Sequence, residues 1–447
     1  MLAMLFAVSL PAVTARLYSS DEVQYFSYLR SIWFDRDVSF ENEYRYFYDH
    51  DIAQSEGYRE TFLERQTETG LRFNYGTIGC AVLWSPFYAV ADLWTRVTGG
   101  AEPDGYSKPY IRAVAYGSAF YAFLAVLLSI RAARIVGGER GAVAAGYAIW
   151  LGTPLLFYMY VAPPFSHACS ALGVAVFVSV WLHVRRTWSA RGAFALGVAA
   201  ALMGMVREQD IFIALGPAVD FAMSAYKGLG VVSWKLGVVR ALSGLLGLGV
   251  GYVPQLVAYT SLNGHQGPAS HVARKMFWDA PHGLQVLLSP EHGFFFWTPL
   301  ALLAIAGLAL MRTRVTTCLL IMIASQVYVA GSVASWTVAG AFGQRRFVCL
   351  TIVLVIGLAA LVNAVTRTAA DSRQARALTA LVILTVWWNI ALMAQFATGM
   401  MDRQRLEPAR NAYNAFVTLP LETPALVYRY LTNRDSFYRP SPAERAQ

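Results

Sequence analysis

The chain has 447 residues, of which 56% are hydrophobic and only 14% charged, against about 25% charged in soluble proteins. With a mean hydropathy of +0.43, it cannot solvate its own surface in water, which excludes a soluble multidomain protein, a disordered chain and a secreted disulfide scaffold. The net charge of +9 calls for no nucleic acid, because Lys and Arg accumulate in the cytoplasmic loops of membrane proteins.

A membrane span needs about 20 mostly apolar residues. In chain order such stretches fall at 1–17, 111–131, 141–161, 167–184, 192–206, 211–226, 236–260, 294–311, 315–334, 346–366 and 378–396. The predicted fold is an all-α polytopic membrane protein with about eleven transmembrane helices. The first stretch ends in small residues, as a cleaved signal peptide does. An anchor is preferred, because cleavage so close to Asp21 would leave the acidic loop after it untethered.

The stretch 76–97 is apolar too, but it carries Pro86, Asp92 and Arg96. The clusters Arg131/Arg134/Arg140, Arg185/Arg186/Arg191, Lys227/Lys235, Arg312/Arg314 and Arg367/Arg373/Arg376 fall on one side only if 76–97 does not cross. It is therefore predicted to be an interfacial or re-entrant helix. The result is one transmembrane domain over 1–401. Its first outer loop, 18–110, carries interfacial helices, and its second outer loop is 261–293. A short outer tail, 402–447, follows.

Polar chemistry concentrates on the predicted outer side. Segment 18–75 holds twelve of the 27 acidic residues. Of the seven histidines, only His183 is expected inside. Cys80, Cys169, Cys318 and Cys349 lie in apolar stretches without metal-ligand spacing and are expected to be small buried apolar residues.

Five constellations carry possible chemistry. Ser20-Asp21-Glu22 follows the first span; two adjacent acids there serve as a general base or a metal ligand. A helix N-terminus capped by Ser20 fits equally well. Asp35-Arg36-Asp37 precedes Glu41-Asn42-Glu43-Tyr44, the mix of acids, amide and aromatics that suits a sugar; a solvated loop is the plainer account. Arg207-Glu208-Gln209-Asp210 lies between two apolar runs, where Arg207 can hold an anion or pair with a neighbouring acid. His292 sits where the chain re-enters the membrane, a place more often taken by a satisfied histidine than by a catalyst. Arg345 and Arg346 lie outward, against the positive-inside trend. Two guanidiniums beside small residues and a helix start make a phosphate site, with lipid head-group anchoring as the alternative. Motifs for a P-loop, a dinucleotide fold or a zinc hydrolase are lacking.

Together, Asp21-Glu22, the "SIWFDRDVSFENEY" loop, "NYGTIGCAVLWSPFY", "SPEHGFFFWTP" and "SWTVAGAFGQRRF" resemble the GT-C superfamily of integral-membrane glycosyltransferases, near its protein O-mannosyltransferase and aminoarabinose-transferase groups. The resemblance covers most of the chain. It implies inverting transfer of a hexose or pentose from a polyprenyl-phosphate donor to a lipid, glycan or protein acceptor. Transfer would occur at the outer face of a bacterial inner membrane. By position Asp21 becomes the base, and Glu22 orients it or contacts a metal or the sugar. Arg345, Arg346 and Arg207 become donor-phosphate ligands, the first two by topology more than by motif. Asp35, Asp37, His167 and His292 form a second tier of substrate contacts. A divalent metal stays open, and no other cofactor is implied. The chain departs from the family in having no large soluble C-terminal domain. The rivals are a transporter or flippase of a polyprenyl-linked glycan and a non-catalytic envelope assembly subunit. Polar residues at the outer ends of the spans, and no internal repeat of the transporter kind, favour the enzyme.

Overall fold

The structure, a computed structural model, describes residues 2–17, 19–50, 52, 56–227, 234–338, 340–368 and 372–437, so the tail expected over 402–447 is described to residue 437. Among these residues the chain is helical, with an isolated β-bridge between Gln66 and Arg72. Six described helices are long and apolar enough to cross a membrane: Lys108–Val136, His167–Val184, Lys235–Asn263, Arg314–Ser332, Arg345–Arg367 and Arg373–Thr398. Leu2–Ala12, Ala190–Val206 and Leu300–Met311 are shorter apolar helices.

Two expected spans are interrupted. The stretch 141–161 divides into Glu139–Leu151 and Leu155–Tyr160. Pro154 lies in the gap; it lacks an N–H and its ring clashes with the preceding turn. The stretch 211–226 begins as a 3-10 turn, Glu208–Ala214, before the helix Leu215–Lys227.

The helix Gly79–Thr98 is not among the six. Trp84, Tyr88, Ala91 and Thr95 are buried on one face, while Val90, Leu93, Trp94 and Val97 are exposed on the other. Both sets keep helical spacing. Asp92 and Arg96 pair at 3.0 Å along the flank. Asp92 also accepts from the Tyr110 hydroxyl at 2.7 Å and the Trp33 indole at 3.3 Å. A helix with one face in protein and an outward apolar face suits a lipid interface.

The chain folds as two compact units, each discontinuous in sequence. The first takes residues 1–128, 158–276 and 313–326, and the second takes 129–157, 277–312 and 327–447. In the first unit, Ala190–Val206 meets Trp234–Asn263 along a glycine seam. A Cβ on Gly197 would lie 2.0 Å from the Gly244 carbonyl oxygen, and one on Gly247 would lie 2.1 Å from that of Phe194. Small residues give membrane helices this backbone approach, since burial of apolar surface gives them little drive to associate. The first loop has its own aromatic core, in which Phe26, Tyr28, Phe40, Tyr44, Phe47 and Tyr88 are fully buried. The second unit repeats the seam: a Cβ on Gly307 of Leu300–Met311 would lie 1.9 Å from the carbonyl oxygen of Gly357, in Thr351–Thr368.

Charge pins one end of the first unit. Asp220, fully buried, pairs with Arg185 at 2.9 Å and Arg314 at 2.7 Å and accepts from the Trp181 indole at 3.0 Å. This joins the C-terminal end of His167–Val184 to the start of Arg314–Ser332. Two basic clusters expected on one side of the membrane therefore share one end of the unit.

Candidate active site

His167 opens an 18-residue helix whose other end carries that charge cluster. At 1.5 Å per residue the two ends lie about 27 Å apart. Arg207 follows the C-terminus of Ala190–Val206 and lies at the His167 end. It is 9% exposed. One of its terminal nitrogens lies 2.8 Å from His167 Nδ1, and the other donates to Gln209 Oε1 at 3.2 Å. A guanidinium only donates, so His167 Nδ1 accepts and its ring proton sits on Nε2. The imidazole is packed against the rings of Tyr158 and Phe165, at 4.4 and 5.8 Å. Gln326 secures the turn by donating to the Gln209 carbonyl at 3.0 Å.

The neighbouring acids go elsewhere. Asp210 accepts from Ser170 at 2.5 Å, and Glu208 accepts from the Tyr259 hydroxyl. Burial raises the Glu208 pKa.

Asp21 and Glu22 lie in the first turn of the helix Ser20–Arg30. Glu22 is buried and folds back to accept from the Ser19 amide at 3.0 Å and the Ser19 hydroxyl at 3.4 Å. Its role here is that of a capping-box carboxylate, with Ser19 at the cap where the sequence suggested Ser20. Asp21 is half-buried. Tyr25 follows it by one turn on the same face. Burial is the main cause of the raised Tyr25 pKa, with the Arg207 charge pulling it down and the Asp21 charge pushing it up. Tyr25 thus lies within electrostatic reach of both Asp21 and Arg207. Sequence reasoning missed Tyr25, although its spacing of four from Asp21 was a usable signal.

Asp35 pairs with Arg30 and accepts from Asn42 at 2.8 Å. Arg30 also holds Glu43 at 2.9 Å, over the Tyr106 ring at 4.6 Å. Glu43 is fully buried, and burial outweighs Arg30 to push its pKa up to about 7. Asp37 accepts from the Ser31 hydroxyl at 2.7 Å and the Ser39 amide at 3.0 Å, fixing the turn after Arg36, whose φ is 65°. Asp37 also lines a groove of about 640 Å³ with Arg36 and Ser39 at its polar rim and Ile78, Pro254 and Val257 on its apolar wall.

The remaining predicted residues lie in the second unit. Fully buried His292 stacks on Trp297 at 4.9 Å, and its Nε2 donates to the Ala341 carbonyl at 2.9 Å. Burial, reinforced by the Arg345 charge, lowers its pKa to about 4, so the ring is neutral at neutral pH. Gln344 donates to the His292 carbonyl at 3.2 Å. Buried Arg346 donates to the Ser335 carbonyl at 2.8 Å and hydroxyl at 3.1 Å, bracing the loop before it. Arg345 is half-buried.

Among the described residues no three His, Cys, Asp or Glu side chains come together as ligands, and Glu22 is turned to its cap. Cys80 and Cys169, both fully buried, are electrostatic neighbours, a meeting that sequence spacing did not show.

No family model matches the chain, and no curated protein matches it. Among solved structures it is similar to ArnT from Cupriavidus metallidurans bound to undecaprenyl phosphate. That match covers 97% of this chain and 72% of the other, with a TM-score of 0.55 and 13% identity. ArnT in the apo state matches 97% of this chain and 76% of its own, with a TM-score of 0.47 and 13% identity. The Archaeoglobus fulgidus oligosaccharyltransferase, in complex with zinc and sulfate, matches 100% of this chain over 58% of its own length, with a TM-score of 0.47 and 15% identity. The chain has a GT-C fold and is an integral membrane protein.

Proposed function

We propose that this GT-C-fold chain is a glycosyltransferase that moves a sugar from a polyprenyl-phosphate donor to a lipid, glycan or protein acceptor. The observation that carries this is the buried Arg207 held by His167, with Asp21 and Arg207 both within electrostatic reach of Tyr25, in a fold similar to that of ArnT. The groove beside Asp37, polar at its rim and apolar along its wall, supports a lipid-linked substrate.

In this reading Asp21 takes the acceptor hydroxyl proton as that oxygen attacks the anomeric carbon. The carbon–oxygen bond to phosphate breaks, and its electron pair leaves with the phosphate. Attack from the face opposite the leaving group inverts the anomeric centre. Arg207 stabilises the growing negative charge, which counts most where water is excluded. Its bonds to His167 and Gln209 pre-set its orientation, and the capped helix start does the same for Asp21. Arg345 is proposed as a further donor-phosphate ligand, with Arg346 bracing its loop. Asp35, Asp37 and His292 are proposed to act through loop shape. No step runs through a metal. The site is assigned to the outer face of a bacterial inner membrane, on the charge distribution of the loops.

The test is transfer from a polyprenyl-phosphate sugar by the full chain in lipid vesicles. Asp21→Asn should lower the rate by about 10²–10⁴-fold with little change in melting temperature. A wild-type rate would remove Asp21 from the base role. Changing Arg345 and Arg346 together to Gln should weaken donor binding more than acceptor binding.

A further inference from the structure

The slot that four helices of the first unit leave open, at the end opposite Asp21, is not used by the proposed reaction. His167–Val184, Ala190–Val206, Leu215–Lys227 and Trp234–Asn263 line an open slot of about 320 Å³ there. Its walls are mostly small or apolar, including Ala193, Ala200, Ala218, Ala241 and Gly244. Arg240 is the single charged side chain among its described lining residues. The Arg240 Nε is buried and without a hydrogen-bond partner.

Three contacts fix where the slot opens. Trp188 lines it and donates to Ser224 at 3.1 Å. Ser224 in turn accepts from Arg314, at 2.5 Å. Ser243, one turn beyond Arg240, donates to the Ala190 carbonyl at 2.8 Å. Arg240 and Trp188 therefore sit toward the Arg185–Asp220–Arg314 end. The slot is continuous with an outward apolar face, since its lining residue Leu245 is 63% exposed, beside Leu242 and Leu246.

A slot with hydrocarbon walls does not hold water, and interiors close-packed elsewhere do not leave such room unfilled. In a bilayer the available filler is an acyl chain. A lone guanidinium at the rim of such a slot needs an anionic acceptor, and a phosphate takes two of its N–H groups at once. We infer that this slot is a binding site for one anionic phospholipid, its phosphate on Arg240 and one acyl chain between Ala193, Ala218 and Gly244. The bound lipid would join Trp234–Asn263 to its neighbours where the glycine seam opens. It is a structural lipid, separate from the donor.

The test is native mass spectrometry of the detergent-purified full chain titrated with dioleoyl phosphatidylglycerol or dioleoyl phosphatidylcholine. The expected result is one retained phosphatidylglycerol, held about fivefold more tightly than phosphatidylcholine. Arg240→Gln should abolish that preference. Ala218→Phe should lower retention of both lipids by filling the slot, and Ala241→Leu does the same should the first variant not fold. Equal retention of the two lipids, or an undiminished preference in Arg240→Gln, would overturn the assignment. So would a dimer that Ala218→Phe dissolves, since a second copy would then be the occupant.

Discussion

The two ends of the first unit use the same residue types to opposite effect. At one end Asp220 is buried between two arginines and a tryptophan, and its charge is fully answered. At the other end Arg207, also buried, bonds to an imidazole nitrogen and an amide oxygen. Asp21 is held in reach of the same tyrosine that senses Arg207. A saturated pair resists change and offers a substrate nothing. A buried cation on neutral partners keeps its field available for an incoming anion, at a standing cost in desolvation. Burial and residue type do not separate the two ends; the identity of the partners does.

The largest effect should come from the saturated end. Asp220→Ala leaves two guanidiniums facing each other in a buried site and should cost about 3–5 kcal/mol of stability, read as a lowered melting temperature in detergent. Asp21→Asn should cost less than about 1 kcal/mol, a helix-dipole loss, while removing transfer. Were Asp21→Asn to unfold the chain and Asp220→Ala to spare it, the contrast between the ends would be reversed. Arg207→Gln comes next. Transfer should fall by about 10²–10³-fold, and stability by about 1–2 kcal/mol, because His167 Nδ1 loses its donor in a buried site. Arg207→Gln with full transfer would make this end as structural as the other. Tyr25→Phe is milder: transfer should fall by less than about tenfold, with less than about 1 kcal/mol of stability lost.

The run of apolar stretches was legible because a lipid solvent imposes length and apolarity on each helix separately. Hydropathy averaging overran at 141–161, where Pro154 breaks the helix but not the mean. The inward-pointing seams at Gly197 and Gly307 were not legible, because close approach depends on which helices meet. Glu22 could have been assigned better. A serine three residues before a glutamate at a helix start is the capping-box pattern, and the cap was placed one residue late. That Arg207 lies at the same end as His167 followed from alternation of the spans. That Tyr25 comes within electrostatic reach of both Arg207 and Asp21 did not, since it needs the first-loop helix near a turn about 180 residues away in sequence.

The contrast between answered and unanswered burial extends to pH, where two groups should act in opposite senses. Glu43 has a folded pKa of about 7, above the ordinary 4.5. Between those values the folded state holds more protons than the unfolded state, so its contribution to stability grows as pH falls. His292 has a folded pKa of about 4, below the ordinary 6.5. Across that window the unfolded state takes up the proton first, so stability falls as pH falls. The two windows overlap, and the slopes partly cancel in the wild type. Glu43→Gln should therefore lose more melting temperature than wild type between about pH 7 and about pH 5. His292→Asn should lose less, or gain. Parallel curves for the three proteins would mean that burial at these two sites is relieved by water, and the distinction drawn from Asp220 would then hold only within the membrane.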